Sequence, residues 1–268
     1  MRNHFLYIIC LLCFYKVAAQ NETLQLSKPY VSYPSIFFRD SMEVKMKFDL
    51  IGANIQYYID NQMYNNKKIS AQKHFYRNPI VLKKDVNHII ATSNCDGFLP
   101  SEPLEVTFIK AGIPVKKVEG TLPNPKYHGN GIQALTDLKG GDIKISSPDW
   151  LGYDQDTLEF EMQLESPSWV QNILFSFLQN EDSWVFLPNK IDVQYFDTEK
   201  NQFKDFGSIV QYFDTKGKSQ IKFITIKTPQ KVQTDRLKIT INTLQKIPNW
   251  HPAKGNHAWC FLNEIIIK

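Results

Sequence analysis

Three short stretches of the chain place an aromatic ring beside polar side chains, and their chemistry can be inferred from residue type and spacing. They contain Trp150 with Tyr153, then Trp184, then Trp250 with His251. An indole or phenol face can stack on the apolar C–H face of a pyranose, while neighbouring acid and amide groups bond its hydroxyls. We therefore predict that these five residues bind a glycan.

The same aromatic residues also have a purely structural interpretation. A tryptophan in a loop between strands often fills the end of a β-sandwich, and the sequence leaves both interpretations open. Trp169 and Trp259 lie inside strand-like stretches, so we expect them to belong to the core. His251 has no nucleophile or orienting partner in sequence, and we expect it to form hydrogen bonds within its loop and not to catalyse a reaction.

The segment between Pro148 and Pro188 must position the first two of these aromatic stretches. Leu158, Phe160, Met162 and Leu164 alternate with Glu159, Glu161, Gln163 and Glu165. This period of two is typical of a strand with one buried face. After Ser166-Pro167-Ser168, which is expected to be a turn, Ile173, Phe175 and Phe177 share one face. We predict two paired strands with an aromatic loop at either end.

The first 19 residues resemble an export signal. Arg2 and His4 precede an apolar run, Phe5 to Tyr15, and Val17-Ala18-Ala19 supplies the small residues that a signal peptidase requires. The run is shorter than the roughly 20 residues needed to cross a bilayer. The mature protein is therefore expected to be exported, to the periplasm, the cell surface or the medium.

The charge balance excludes nucleic acid as a predicted partner. The chain has a formal net charge of +4, and Arg2 and Lys16 leave with the signal, which lowers it to about +2. Lysines are interspersed with acids throughout the sequence, so we expect a mixed, solvated surface and no basic stripe. Membrane insertion is also disfavoured, since Trp184 lies beside Glu181 and Asp182.

The mature chain retains two cysteines, Cys95 and Cys260, because Cys10 and Cys13 lie in the signal. A bridge between them is compatible with an oxidising compartment, but their spacing does not require one. We expect two buried free thiols, and no zinc site can be built from them.

Strand-like runs recur throughout the mature chain without a long helical period, which predicts an all-β protein. Residues 20–110 read as a small immunoglobulin-like sandwich, residues 111–121 as a linker, and residues 122–268 as a jelly-roll sandwich.

The first part resembles the chitobiase/β-hexosaminidase C-terminal module. The matching stretches are Ile55-Gln56-Tyr57-Tyr58-Ile59-Asp60-Asn61, Tyr76-Arg77-Asn78-Pro79-Ile80, and Ile89-Ile90-Ala91 followed by Gly97 and Pro100-Ser101-Glu102. Asn61 stands where that family prefers glycine, and asparagine tolerates the positive φ of such a turn. The resemblance implies a non-catalytic accessory module.

The second part resembles the discoidin-like (coagulation factor V/VIII type C) superfamily, in the version found at the C-terminus of bacterial β-hexosaminidases. The matching stretches are Asn130 to Asp137, Trp150-Leu151-Gly152-Tyr153, Ser183 to Pro188, Pro248 to Pro252, Gly255 to Trp259 and Glu264-Ile265. This resemblance implies a galactose-binding-like β-sandwich that binds a galactose- or hexosamine-containing glycan. A calcium ion at Asp137 and Glu264, with Asp142 as a further ligand, is also implied, although Leu138 follows Asp137 where the family has glycine.

The sequence predicts no enzyme. Hexosaminidase catalysis belongs to a barrel of about 250 residues, which the remaining sequence cannot contain. No nucleophile elbow, zinc-protease helix or phosphate loop occurs in the sequence. The alternative to glycan binding is a structural role, in which both modules pack on a glycoside hydrolase or another partner and bind no sugar.

Overall fold

The computed structural model describes residues 24–61, 72–213 and 216–268. This part of the chain contains fifteen β-strands, three short 3-10 helices and no α-helix, so the all-β prediction is confirmed. The predicted signal peptide lies outside the described residues, as do Cys10 and Cys13. Among the described helices, none is both long and apolar enough to span a bilayer.

The first eight strands form two sheets. They are β1 (Tyr30–Ser32), β2 (Phe37–Phe38), β3 (Met42–Lys47), β4 (Asn54–Asp60), β5 (His74–Phe75), β6 (Ile80–Leu82), β7 (Val86–Asn94) and β8 (Leu104–Lys110). One sheet has the order β1-β3-β6 and the other has the order β2-β8-β7-β4-β5. Residues along β3 and β7 alternate in burial, as expected for sheets that cover a core on one face.

The remaining strands form a sheet of seven. They are β9 (Val115–Gly120), β10 (Leu151–Tyr153), β11 (Thr157–Gln179), β12 (Lys190–Asp197), β13 (Gln202–Val210), β14 (Gln220–Asn242) and β15 (Cys260–Ile267). The strand order is β10-β15-β11-β14-β12-β13, and β9 pairs with β11. Val115–Gly120 thus forms a strand within the segment predicted as a linker. Gly120 is required there, because a Cβ would lie 2.0 Å from the carbonyl oxygen of Glu159.

The prediction of two paired strands around Ser166-Pro167-Ser168 is wrong. A single strand, β11, runs through this stretch, and its partner along the whole length is β14. The register shifts between Gln163 and Ser168, so the ladder is interrupted where Pro167 has no N–H to contribute. One further shift, between Val170 and Asn172, interrupts the long β11–β14 pair a second time.

An apolar cluster joins the two halves of the chain. Ile36 and Phe37 from the first half are buried together with Leu174, Phe223 and Ile266 from the second. The rings of Phe37 and Phe223 pack edge to face with centroids 6.2 Å apart. The two halves therefore share part of one core, and the division into domains at residues 110–122 stays a prediction.

Both mature cysteines are free thiols, as expected. Cys260 is buried, and this burial raises the pKa of its thiol to about 12. Cys95 is only half-buried, so its predicted burial is wrong. It follows Asn94, the last residue of β7, and lies beside the turn that contains Ile51.

Candidate functional site

Three loops meet at one end of the seven-stranded sheet and enclose a surface hollow of about 570 Å³. They connect β11 to β12, β13 to β14, and β14 to β15. The hollow is lined by Asp182, Trp184, Lys216, Trp250, His251, Pro252, Ala253 and Asn256. Three of the five predicted glycan-binding residues are therefore brought together, although they are far apart in sequence.

The buried carboxylate of Glu181 holds two of these loops together. One of its oxygens accepts a hydrogen bond of 2.7 Å from the Gln179 side-chain amide. The other accepts one of 2.8 Å from the backbone N–H of Gly217, in the β13–β14 loop. Only 3 % of the residue is exposed, so both bonds form away from water, where a lost partner is costly. Glu181 thus fixes the position of the loop that carries Lys216.

Trp184 presents its ring to solvent from a fixed backbone. It adopts a left-handed conformation with φ of 65°, and its N–H donates to the carbonyl of Glu181 over 2.8 Å. Its own carbonyl accepts a hydrogen bond of 2.8 Å from the N–H of Trp259. The residue remains 40 % exposed. An indole that is open on one face and anchored at its backbone is suited to stacking on a flat ligand.

Trp250 forms a wall of the same hollow. Its indole N–H donates a 2.8 Å hydrogen bond to the carbonyl of Phe213, so this polar edge is already satisfied. The ring packs beside Phe186, with centroids 6.3 Å apart, and beside His251 at 5.6 Å. The residue is half-buried. Trp250 can therefore offer a ligand apolar contact, while its hydrogen-bonding group stabilises the loops.

His251 is a structural residue of the loop. It is buried, and its Nδ1 accepts a hydrogen bond of 3.0 Å from the backbone N–H of Ala253. Nε2 therefore carries the proton and donates it to the carbonyl of Glu181 at 3.1 Å. Because both nitrogens are engaged, His251 has no free nitrogen for a glycan in this conformation, although its ring lines the hollow. Its role as a loop hydrogen-bonder agrees with the alternative expectation.

Trp150 and Tyr153 do not face solvent, which corrects two of the predicted site positions. Trp150 is 2 % exposed, and its indole N–H donates to the carbonyl of Asp142 over 2.8 Å. Tyr153 is fully buried against Phe160, and this burial raises the pKa of its hydroxyl. The reason is that Leu151–Tyr153 forms strand β10, which pairs with β15, and is not a loop.

Trp169 and Trp259, the two tryptophans expected in the core, differ in their exposure to solvent. Trp259 is half-buried and packs edge to face on Tyr127, with centroids 5.0 Å apart. Trp169 is 61 % exposed, so its prediction as a core residue is wrong. Its neighbour Val170 takes the buried face of β11, which directs Trp169 outward.

Polar groups complete the rim of the hollow. The ammonium of Lys216 pairs with the carboxylate of Asp182, and this hydrogen bond lowers the pKa of the acid. The side-chain amide of Asn256 donates to the carbonyl of Ala253. Sequence reasoning did not single out Lys216 or Asn256 as site residues. Lys216 gives no sequence signal, because its loop contains no tryptophan. Asn256 could have been found, because Gly255-Asn256 belongs to a stretch that resembles discoidin-like domains.

The predicted calcium ligands do not fit a calcium site in this structure. Glu264 is buried, and the N–H of Leu138 donates to its Oε2 over 2.9 Å, so one of its two oxygens already accepts a hydrogen bond. Asp137 accepts the N–H of Lys139, whose ammonium lies 3.7 Å from its second oxygen. Burial, together with the charge of Asp137, raises the pKa of Glu264 to about 9.

Backbone carbonyls of the adjacent loop also already accept hydrogen bonds. The carbonyl of Leu138 accepts from Ser35 Oγ, that of Lys139 from Asn263 Nδ2, and that of Gly140 from the N–H of Ile36. Two of these three donors come from the first half of the chain. Across residues 24–61, 72–213 and 216–268, no three His, Cys, Asp or Glu side chains are grouped as metal ligands.

No protein-family model matches the sequence, and no curated protein matches it. Among solved structures, one similar chain is the family 32 carbohydrate-binding module of Streptococcus pneumoniae EndoD, with 15% identity and a TM-score of 0.39. The match covers 59% of this chain and 96% of that one. A second is the family 32 module of C. perfringens NanJ in complex with galactose, at 10% identity and a TM-score of 0.39, covering 59% and 97%.

A third similar structure is a module from a family 31 glycoside hydrolase of Clostridium perfringens, at 12% identity and a TM-score of 0.38. The match covers 58% of this chain and 96% of that one. All three of these structures are carbohydrate-binding modules.

Proposed function

We propose that this chain is an exported, non-catalytic carbohydrate-binding protein, and that the hollow between Trp184 and Trp250 receives a pyranose ring. The observation that carries this proposal is the convergence of two indoles and three polar side chains on one open hollow. Its volume of about 570 Å³ lies in the range of small-ligand sites, roughly 300–1,000 Å³.

Each lining group has a role that follows from its exposure and hydrogen bonds. Trp184 supplies an open indole face for the C–H face of the sugar, and Trp250 supplies an apolar wall. Asp182, Lys216 and Asn256 lie at the rim, where they can accept from and donate to sugar hydroxyls. Glu181 and His251 act through the loops, since their polar atoms bond to protein groups.

The glycan class follows from the resemblance to discoidin-like domains, which implies a galactose- or hexosamine-containing ligand. Galactose, N-acetylgalactosamine and N-acetylglucosamine are therefore the first ligands to test. The hollow is open to solvent, and the opposite charges of Asp182 and Lys216 cancel in the ion pair at its rim. This favours neutral sugars over strongly charged ones. No catalytic residue is assigned, because the one imidazole that lines the hollow has both nitrogens engaged.

A glycan array with the mature protein, residues 20–268, tests the proposal, followed by isothermal titration of each positive sugar. We expect binding to at least one galactose- or hexosamine-containing glycan. Absence of binding to every such glycan, by a protein shown to be folded, would contradict the proposal.

An accessory role on a partner protein is the second candidate, and one observation favours it. Leu24, Phe98 and Leu99 are exposed apolar residues at one corner of the first half of the chain, where Leu24 and Leu99 share a backbone hydrogen bond. Exposed apolar residues grouped in this way are typical of a protein contact. Stable co-purification with a glycoside hydrolase, without any affinity for glycans, would favour this role.

A further inference from the structure

A second hollow, of about 520 Å³, is built around Trp169. Trp169 precedes Gln179, the end of β11 beside the first hollow, by ten residues. At about 3.3 Å per residue this is roughly 30 Å of strand. The two hollows are therefore separate, and no residue lines both of them.

Trp169 is the most exposed of the five tryptophans. The residue is 61 % exposed, whereas Trp150 is 2 % exposed. Leaving a large indole in water forgoes apolar burial of about 25 cal/mol for each Å². The indole lies on the outer face of β11, cross-strand from Gln233, so its ring is available to a ligand that enters the hollow.

A bulge in β14 forms one side of the hollow. Val170 pairs with Val232 and Asn172 with Lys227, so Gln171 alone lies opposite residues 228–231. These residues have no ladder partner on β11, and Pro229 among them has no N–H that would need one. The bulge therefore stands out from the sheet beside Trp169.

The turn between β12 and β13 forms the other side. The carboxylate of Asp197 accepts hydrogen bonds of 3.0 Å from the N–H groups of Glu199 and Lys200, and it also pairs with Lys204. Thr234 is buried, and its hydroxyl donates to the carbonyl of Phe196 over 2.9 Å, which ties this hairpin to β14. Both sides are thus positioned by the fold before any ligand binds.

The chemistry of the lining indicates the class of ligand. Glu199 and Asp205 are exposed and form no ion pair with any described residue, so their oxygens can accept hydrogen bonds. Gln230, Lys231 and Gln233 supply donors from the β14 side. Acceptors and donors around one indole match a sugar with hydroxyls on its edge and C–H groups on its face. The two unpaired carboxylates outnumber the ammonium of Lys231, and the Asp197–Lys204 pair is neutral, so the lining disfavours an acidic sugar.

We propose that the Trp169 hollow is a second carbohydrate-binding site, which takes a neutral pyranose and discriminates against uronic acids. The site does not depend on a ligand in the first hollow. It would make the protein bivalent, with the two sugar sites on well separated parts of the second half of the chain.

Fluorine NMR of the mature protein labelled with 5-fluorotryptophan tests this proposal. The Trp169→Phe and Trp184→Phe variants assign the two resonances. The probes are galactose, N-acetylgalactosamine, N-acetylglucosamine and cellobiose, with galacturonate as the acidic counterpart. We expect at least one neutral sugar to shift the Trp169 resonance saturably in the wild type, and equally in Trp184→Ala.

The readouts separate this proposal from the one for the first hollow. A Trp169 resonance that no neutral sugar moves overturns the second site, whatever the Trp184 resonance does. A shift that disappears in Trp184→Ala overturns its independence, and a shift with galacturonate alone overturns the assigned sugar class. Asp205→Asn is expected to weaken the neutral sugar several-fold at the Trp169 resonance and to leave the Trp184 resonance unchanged.

Discussion

The indole N–H of Trp250 donates a 2.8 Å hydrogen bond to the backbone carbonyl of Phe213, across 37 positions of sequence. This bond joins the loop after β13 to the loop after β14. Because the donor is directed into the protein, the ring that lines the hollow is held in one orientation. The proposed sugar site depends on this orientation.

Replacing Trp250 by phenylalanine tests this relationship. The variant keeps an aromatic ring but leaves the Phe213 carbonyl without its donor, which we expect to cost about 1–2 kcal/mol of unfolding free energy. Affinity for the sugar should fall several-fold because the wall is less well ordered. Urea denaturation and isothermal titration measure the two effects. An unchanged stability would show that the bond does not hold the loops.

Glu181→Gln tests the link between the first two loops of the site. Two donors face this buried carboxylate, so the amide nitrogen of glutamine would meet one of them. We expect a loss of about 1–3 kcal/mol in unfolding free energy. Asp182→Asn is the matched control, since its ion pair is exposed and exposed pairs contribute about 0–1 kcal/mol. Equal effects of the two substitutions would contradict the assignment.

The raised pKa of Glu264 predicts that the stability of the protein depends on pH. Its pKa is raised from the usual 4.5 to about 9, so the folded state binds more protons than the unfolded state between these values. Stability from this group is therefore present at low pH and is lost as pH rises from about 4.5 to about 9. Glu264→Gln should flatten the profile and raise the Tm at pH 8 more than at pH 5. A variant that follows the wild-type profile would contradict the assignment.

Calcium is expected to leave the thermal stability unchanged. The Leu138 N–H and the Lys139 ammonium face the carboxylates of Glu264 and Asp137, where calcium would need oxygen ligands. Thermal unfolding in calcium chloride and in EDTA should therefore give the same Tm. A calcium-dependent rise that Glu264→Gln abolishes would show that the site binds the ion after rearrangement.

The two mature cysteines should differ in reactivity. Cys260 is 1 % exposed and its pKa is raised to about 12, so no thiolate is available in the folded protein. Cys95 is half-buried and should react with Ellman's reagent under native conditions. We expect both thiols to react in guanidinium chloride. Rapid native labelling of Cys260 would indicate that β15 opens readily.

Local patterns predicted much of the fold, because alternation is visible in the sequence wherever one face of a strand is buried. Leu158 to Leu164 are an example, and their predicted inward face is confirmed. Long-range pairing decided the rest. Trp150 is buried because the strand after it pairs with β15, more than 100 residues later. Trp169 is exposed beside a bulge that only the β14 register reveals.

The sequence also predicted only part of the candidate site. Trp184 and Trp250 were recognised as loop aromatics, but their meeting in one hollow depends on the packing of three loops. Lys216 lies at the site because the backbone N–H of its neighbour Gly217 donates to Glu181. Residue type alone does not indicate this contact.

Isothermal titration of one glycan identified on the array, into three forms of the mature protein, tests the central claim most directly. All three carry Trp169→Ala, which removes the proposed second site; the first has no other change, the second adds Trp184→Ala, and the third adds Tyr30→Ala as a control, because Tyr30 is an exposed aromatic residue in the first half of the chain. We predict that Trp184→Ala weakens binding at least about tenfold, or roughly 1.4 kcal/mol, while Tyr30→Ala leaves the affinity unchanged. Unchanged affinity of a folded Trp184→Ala protein would contradict the assignment of the first hollow as the sugar site.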